Sequence, residues 1–345
     1  MTRTPTWTRT GGGGLRGWGG VTAMAVACVL TALFALLPLG HETSGSFAGG
    51  SGPGAAPATQ VRADTCDEPE ASLPPSRTDG PGVARIKERG KLIAGVDQNS
   101  YRWGYRNPAT GKLEGFDIDL VRAIARDILG DSSKVVFRAI PTSQRIAALE
   151  SGRVDVVVRT MTINCARLKQ VAFSTAYFQA GQQVLAPVAS DITGYNASLR
   201  GKRVCTAEGS TAYEALRKQS YGAVFEDAHD GTAEDEDRLT VPSQLDCLVR
   251  LQLGEVDAVV TDNALAAGQV AQDPTVELKG GPFTTEYYGV AAKLGSDDLV
   301  ARVNQVLADY RGGGAGSPWM RSYRTWLEAG LPGITAPPAP TYRSN

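Results

Sequence analysis

Val156, Val157 and Val158 are followed at once by Arg159, Thr160, Met161, Thr162, Ile163, Asn164, Cys165, Ala166 and Arg167. This switch from apolar to polar constrains the fold more than any other feature of the chain. A short valine-rich run reads as a buried strand about five residues long. Parallel α/β sheets put their ligands in the crevice beyond the carboxyl ends of their strands. An arginine fork in that crevice meets a carboxylate with two parallel charge-assisted hydrogen bonds. The competing reading is an ordinary loop whose arginines sit in water.

Other segments repeat the pattern of an apolar run that ends on a polar residue. Residues 91–96 read as a strand delivering Asp97, followed by Tyr101, Trp103 and Tyr105. Rings there roof a ligand by packing on its methylenes, or else pack the loop surface. Residues 256–263 read as a buried strand delivering Asp262, a carboxylate placed to suit an ammonium group. Residues 182–187 read as the last strand before a crossover. Between these lie helices. Leu120, Ile124 and Ile128, with Val121 and Ala125, form an apolar stripe at helical spacing, and Asp117 reads as the N-cap, with Asp117 and Asp119 solvated. Arg145 opens a helix that Gly152 stops, and a helix N-terminus favours an anion; the alternative is pairing with Glu150 or Asp155. Gly209, Ser210 and Thr211 start another helix and offer N–H groups and hydroxyls to an anion, or serve as a plain N-cap. Trp319 and Trp326, in a last helix, read as core packing.

The run Thr160-Met161-Thr162-Ile163-Asn164-x-x-Arg167, with Val171-Ala172-Phe173-Ser174 after it, resembles the segment that defines the polar amino-acid branch of the bacterial extracellular solute-binding proteins, family 3. The likeness runs from about residue 83 to residue 327. It implies an α/β protein with the two-lobed type II periplasmic-binding-protein fold, its central sheets flanked by helices and its lobes joined by two hinge crossovers. By the same resemblance Arg167 holds the α-carboxylate of an amino acid, Thr162 and the backbone of Thr160 assist, and Asp262 holds the α-amino group from the other lobe. Ser210 and Thr211 close over the ligand from that lobe. Thr142-Ser143-Gln144-Arg145-Ile146 is similar to glutamate- and aspartate-binding members, which gives Arg145, and with it Arg159, to a side-chain carboxylate. Asp97 departs from that pattern and resembles glutamine binders, so acidic and amide ligands both stand, with the acidic one favoured. The resemblance implies no enzyme activity and no cofactor. It implies an amino-acid ligand bound by a monomer that serves an ABC importer permease. Two rivals are a sensor presenting its closed state to a membrane receptor or kinase system, and a dehydratase-like enzyme acting on cyclic acids.

Composition closes several other routes. The formal net charge is −1 with both signs mixed, which gives no reason to expect nucleic acid. Of two histidines, His41 lies in a tether and His229 in an acidic insertion over residues 226–237, so a histidine triad or a histidine-rich metal site is not expected. The insertion reads as a solvated loop, with a cation patch as the alternative. Residues 21–39 carry no charge, and Arg3, Arg9 and Arg16 precede them. That asymmetry puts residues 1–20 in the cytoplasm, makes 21–39 a signal or membrane segment and puts the rest outside. Cleavage, retention and lipidation at Cys28 all stay open. Residues 40–82 read as a flexible tether, 83–187 as the first part of lobe 1, 188–285 as lobe 2, 286–330 as the return to lobe 1, and 331–345 as a disordered proline-rich tail. Apart from Cys28, Cys66, Cys165, Cys205 and Cys247 remain. An even number in an oxidising compartment suggests two disulfides out of three possible pairings. Cys205 with Cys247 inside one lobe, and Cys66 with Cys165 tying the tail to the first, are the expected pairs; free buried thiols are the alternative.

Overall fold

The computed structural model describes residues 66–227 and 238–343. The first sheet is built from the apolar runs. Leu92–Val96 lies between Val135–Ala139 and Val156–Val157, parallel to both. Ala291–Lys293 follows, antiparallel to Val156–Val157 and to Val171–Phe173, which completes a five-stranded sheet. The helix Phe116–Leu129 packs on it through Leu120, Val121, Ile124, Ala125 and Ile128, all buried, as the spacing predicts. The valine strand is shorter than expected. Val158 N–H still bonds to the Gly95 carbonyl, but Thr160 has φ +40° and turns the chain out of the sheet.

The second sheet has the order Thr240–Val241, Val204–Ala207, Ala258–Asp262, Gln182–Pro187, Val276–Lys279. Gln182–Pro187 therefore belongs to lobe 2, not to the end of lobe 1. Periodicity identifies a strand but not its sheet, and this one pairs antiparallel with Ala258–Asp262 on one side and Val276–Lys279 on the other. The lobes meet at a two-stranded ribbon in which Phe178–Ala180 runs antiparallel to Glu286–Tyr288. These are the two hinge crossovers.

Both expected disulfides are present: Cys66–Cys165 with Cα atoms 5.8 Å apart, and Cys205–Cys247 with Cα atoms 5.5 Å apart. The ends of the described chain are more ordered than their composition suggests. Ser72 N–H donates to the Thr341 carbonyl and Arg343 N–H to the Ser72 carbonyl. The Ser72 hydroxyl bonds to the Phe173 carbonyl at 2.6 Å. The proline-rich tail through Arg343 thus lies against lobe 1 instead of trailing free, and the tether is tied down from Cys66 onward. A segment poor in core residues is ordered here by backbone pairing with a distant partner.

Residues 1–65 and 228–237, with the expected membrane segment, Cys28 and His229, lie outside the described residues. Among the described residues no helix is long and apolar enough to cross a membrane.

Candidate ligand-binding cleft

The first lobe presents its polar groups from the turn after Val158. A non-glycine residue at positive φ is strained by roughly 1–2 kcal/mol, so something must hold Thr160. Its N–H donates to Asp117 Oδ2 and to the Tyr177 hydroxyl, each at 3.1 Å, and Tyr177 in turn donates to Asp117 Oδ1. Asp117 is therefore neither the N-cap nor solvated. Gly115 takes the cap position at φ +128°, where a side chain would run into the Trp103 carbonyl. Asp117 is 1% exposed, and burial pushes its carboxyl up to about 7 against the two bonds it accepts.

Arg159 leaves this turn and is taken up by Asp97. Its Nη2 lies 3.0 Å from Asp97 Oδ2, and its Nη1 donates to Thr142 Oγ1 at 2.9 Å. Asp97 also accepts the Gln98 and Asn99 N–H groups and the Ser100 hydroxyl. It stands behind Arg159 as an orienting counter-charge and does not line the cavity. Tyr101 packs edge-on against Tyr105 with centroids 5.0 Å apart, away from the cavity wall. Trp103 is corrected to a core residue. It is 1% exposed, packs edge-on against Phe178, and donates its indole N–H to the Ala264 carbonyl of the second lobe at 2.9 Å.

Two further guanidiniums reach inward. Asn164 caps the short helix Cys165–Leu168 by accepting Arg167 N–H. That fixes Arg167, whose Nη1 donates to the Thr162 carbonyl at 2.8 Å and whose Nη2 donates to the Gly209 carbonyl at 3.2 Å. Arg145 donates Nε to the Thr142 carbonyl at 2.9 Å and Nη2 to the Gly209 carbonyl at 3.2 Å. It pairs with neither Glu150 nor Asp155; Asp155 takes Arg89 instead. Burial lowers the pKa of both arginines, and for Arg145 the nearby Arg167 and Arg159 charges lower it further.

The second lobe answers with acids and hydroxyls. Ser210 caps the helix Thr211–Lys218 by accepting Tyr213 N–H at 3.1 Å. Asp262 ends the strand Ala258–Asp262, is 7% exposed, and accepts bonds from Gln182 Nε2 and the Tyr288 hydroxyl. Burial and then the charge of Glu286 push it up to about 7.

Arg145, Arg159, Thr160, Thr162 and Arg167 of one lobe share a single cavity with Ser210, Thr211 and Asp262 of the other. Its own side chains nearly fill it, leaving about 10 Å³ of free space. Asp97, Tyr101 and Trp103 are not in its wall. Thr142, Gln244 and Thr261 are; Thr142 stands in the run that resembles glutamate- and aspartate-binding members, and nothing in the sequence gave any of the three a ligand role. Arg159 Nε, Gln244 Oε1 and Thr261 Oγ1 are buried without a hydrogen-bond partner among the described residues. Glu286, on the hinge ribbon, was also missed. The available signal was its strand period, which places Glu286 and Tyr288 on one side of the ribbon. Cations from the first lobe and an acid from the second suit a zwitterion. Among the described residues, no group of three or more His, Cys, Asp or Glu could hold a metal ion.

Residues 92–327 match the family model described as bacterial extracellular solute-binding proteins, family 3. The ABC transporter glutamine-binding protein GlnH of Bacillus subtilis is 33% identical over 246 residues, covering 71% of this chain and 84% of that protein. The glutamate-binding protein GluB of Corynebacterium glutamicum is 27% identical over 245 residues, covering 67% and 78%. A crystal structure of the solute receptors for L-cysteine of Neisseria gonorrhoeae is similar with a TM-score of 0.64 at 25% identity, covering 72% of this chain and 94% of that one.

Proposed function

Because the chain belongs to the bacterial extracellular solute-binding proteins, family 3, we propose that it captures a polar, acidic amino acid, glutamate or aspartate, outside the cytoplasm for an ABC importer. The ligand's α-carboxylate goes to Arg167 and Thr162, its α-ammonium to Asp262, and its side-chain carboxylate to Arg145. The lobes close over it, with Ser210 and Thr211 brought across from the second lobe. Ligand that touches both lobes favours the closed arrangement over the open one.

One observation carries the acidic choice. Arg145 is buried, and its hydrogen bonds run to backbone carbonyls and to no carboxylate among the described residues. The Asp262 and Asp97 charges lie nearby but neither is bonded to it, and a ligand carboxylate supplies the direct charge-assisted partner that a guanidinium binds best. A second reading, an amide ligand, is favoured by the Asp97–Arg159 pair, which neutralises one guanidinium in advance, and by the glutamine-binding protein among the similar chains. The two disulfides agree with an oxidising compartment.

Calorimetric titration of the protein with aspartate, glutamate, asparagine and glutamine tests the assignment. Tighter binding of the acids, lost on Arg145→Met with the amides retained, is expected. Amides that bind more tightly than acids to the unaltered protein overturn the acidic choice.

A further inference from the structure

Glu286 occupies a position that the ligand assignment does not use. Its carboxylate accepts the hydroxyl of Thr162 from the first lobe at 2.5 Å and that of Thr211 from the second at 2.9 Å. It also accepts Gln182 Nε2 at 3.0 Å, and the same nitrogen donates to Asp262. One amide nitrogen thus bridges two carboxylates that are 6% and 7% exposed.

The charges around this pair come from several elements. Arg145 and Arg167 face it from the first lobe, and Glu214 on the helix Thr211–Lys218 acts on Arg167. Tyr288 touches Asp262, and Tyr177 lies behind Tyr288, joined to Asp117. Around the cavity itself, the guanidiniums of Arg145, Arg159 and Arg167 stand against the carboxylates of Asp97, Asp262 and Glu286. When all six are ionised they sum to zero, and Asp117, bonded to the Thr160 N–H, adds to the negative side. A zwitterion with an uncharged side chain leaves the balance intact. An acidic amino acid brings one negative charge more, and a buried charge without compensation costs more than protonating one of two adjacent carboxylates.

Taking the cleft as the amino-acid site described above, we propose that Glu286 sets its charge selectivity: an anionic amino acid enters together with one proton, held by Asp262, and a neutral one enters without it. Asp262 is the place for the proton because burial and the adjacent Glu286 already hold its carboxyl up to about 7. The ligand's ammonium then rests on a pair that carries one negative charge. No bond other than this O–H forms, and the proton comes from solvent.

Titration of the full chain at pH 8 in two buffers of different ionisation enthalpy counts the protons taken up. Glutamate or aspartate is expected to bring close to one, and glutamine close to none. The dissociation constant for glutamate then rises about tenfold per pH unit above 7. In Glu286→Gln the uptake disappears and glutamate binds about tenfold more tightly than to the unaltered protein at pH 8. Asp262→Asn, which removes the proton's place, also abolishes the uptake; either variant or the unaltered protein alone decides the matter. Glutamate that binds without proton uptake, or uptake that persists in Glu286→Gln, overturns this inference and leaves the amino-acid site standing. Amides that bind while glutamate fails to bind even at pH 6 overturn it too. Failure of every amino acid to bind overturns the site itself, and this inference with it.

Discussion

Arg145 and Arg167 donate to one and the same acceptor, the backbone carbonyl of Gly209, each from 3.2 Å. Both guanidiniums belong to the first lobe and the carbonyl to the second, so each bond spans the cleft. A carbonyl oxygen has two lone pairs and can serve both. It carries no net charge to set against two adjacent cations, whereas each ligand carboxylate brings one negative charge. The pair bridges the two lobes, and it is where the ligand's carboxylates are proposed to dock.

Arg167→Ala tests the anion site. The α-carboxylate is common to every amino acid, so the loss is expected for all ligands alike. A hydrogen bond to a charged group is worth about 1.5–3 kcal/mol, or roughly ten- to a hundredfold in affinity. Calorimetry reads this directly. An unchanged dissociation constant for the tightest ligand removes Arg167 from the site.

Gly209→Ala tests the closure contact. Gly209 has φ +70°, and a Cβ there would stand 2.9 Å from the Ser143 Cα atom across the cleft. The backbone strain is about 1–2 kcal/mol, and the clash is with backbone, which has little room to give. The variant is expected to fold but to close incompletely. Binding should weaken by tenfold or more, and small-angle scattering should show a larger radius of gyration with saturating ligand than the unaltered protein shows. A variant that closes and binds like the original rules out the contact in the bound state.

How much of this was legible in the sequence depended on how local each signal was. The stripe through Leu120, Ile124 and Ile128 and the polar turn after Val158 are local, and the structure has both. The resemblance supplied Arg167, Thr162 and Asp262, and these share one cavity. What could not be read were relationships across long stretches of chain. Glu286 matters because of Gln182, which is 104 residues away. Asp117 has the local pattern of a helix cap, and only its contacts with Tyr177 and Thr160 show otherwise. The strand Gln182–Pro187 carries no mark of which sheet it enters. Trp103 sits in a loop rich in aromatics, and only the rings of Phe116, Phe178 and Tyr288 packed around it show it to be core.

The Cys205–Cys247 bond is a stability prediction. Both residues are fully buried in the second lobe and 42 positions apart. Closing a loop of that length stabilises by roughly 4 kcal/mol in the chain-entropy account. The double variant Cys205→Ala, Cys247→Ala should therefore shift the denaturation midpoint of the protein markedly downward, with the Cys66–Cys165 bond left in place. A loss well under 1 kcal/mol in denaturant titration contradicts that account for this lobe.

The buried acids give a pH dependence with a definite sign. Asp117 and Asp262 are each held up to about 7, above the ordinary carboxylate value of 3.8. Between those two values the folded chain binds more protons than the unfolded one, so these groups make stability fall as pH rises through the window and add no further slope above it. Asp79, Asp131, Asp191 and Asp273 work in the opposite sense. Their partners lower their pKa values, so their stabilisation is lost only as pH falls below the ordinary range. Asp79, Asp131 and Asp191 are exposed and their effect is small. The melting temperature of the ligand-free protein is therefore expected to peak near pH 5 and to be lower at pH 8 by several degrees, on the scale of about 2–4 °C per kcal/mol for a chain of this size. Asp117→Asn should flatten part of the slope, because an amide still accepts the Tyr177 hydroxyl but takes up no proton. A melting temperature that climbs steadily from pH 5 to pH 8 would show both carboxylates to be ionised in the folded protein.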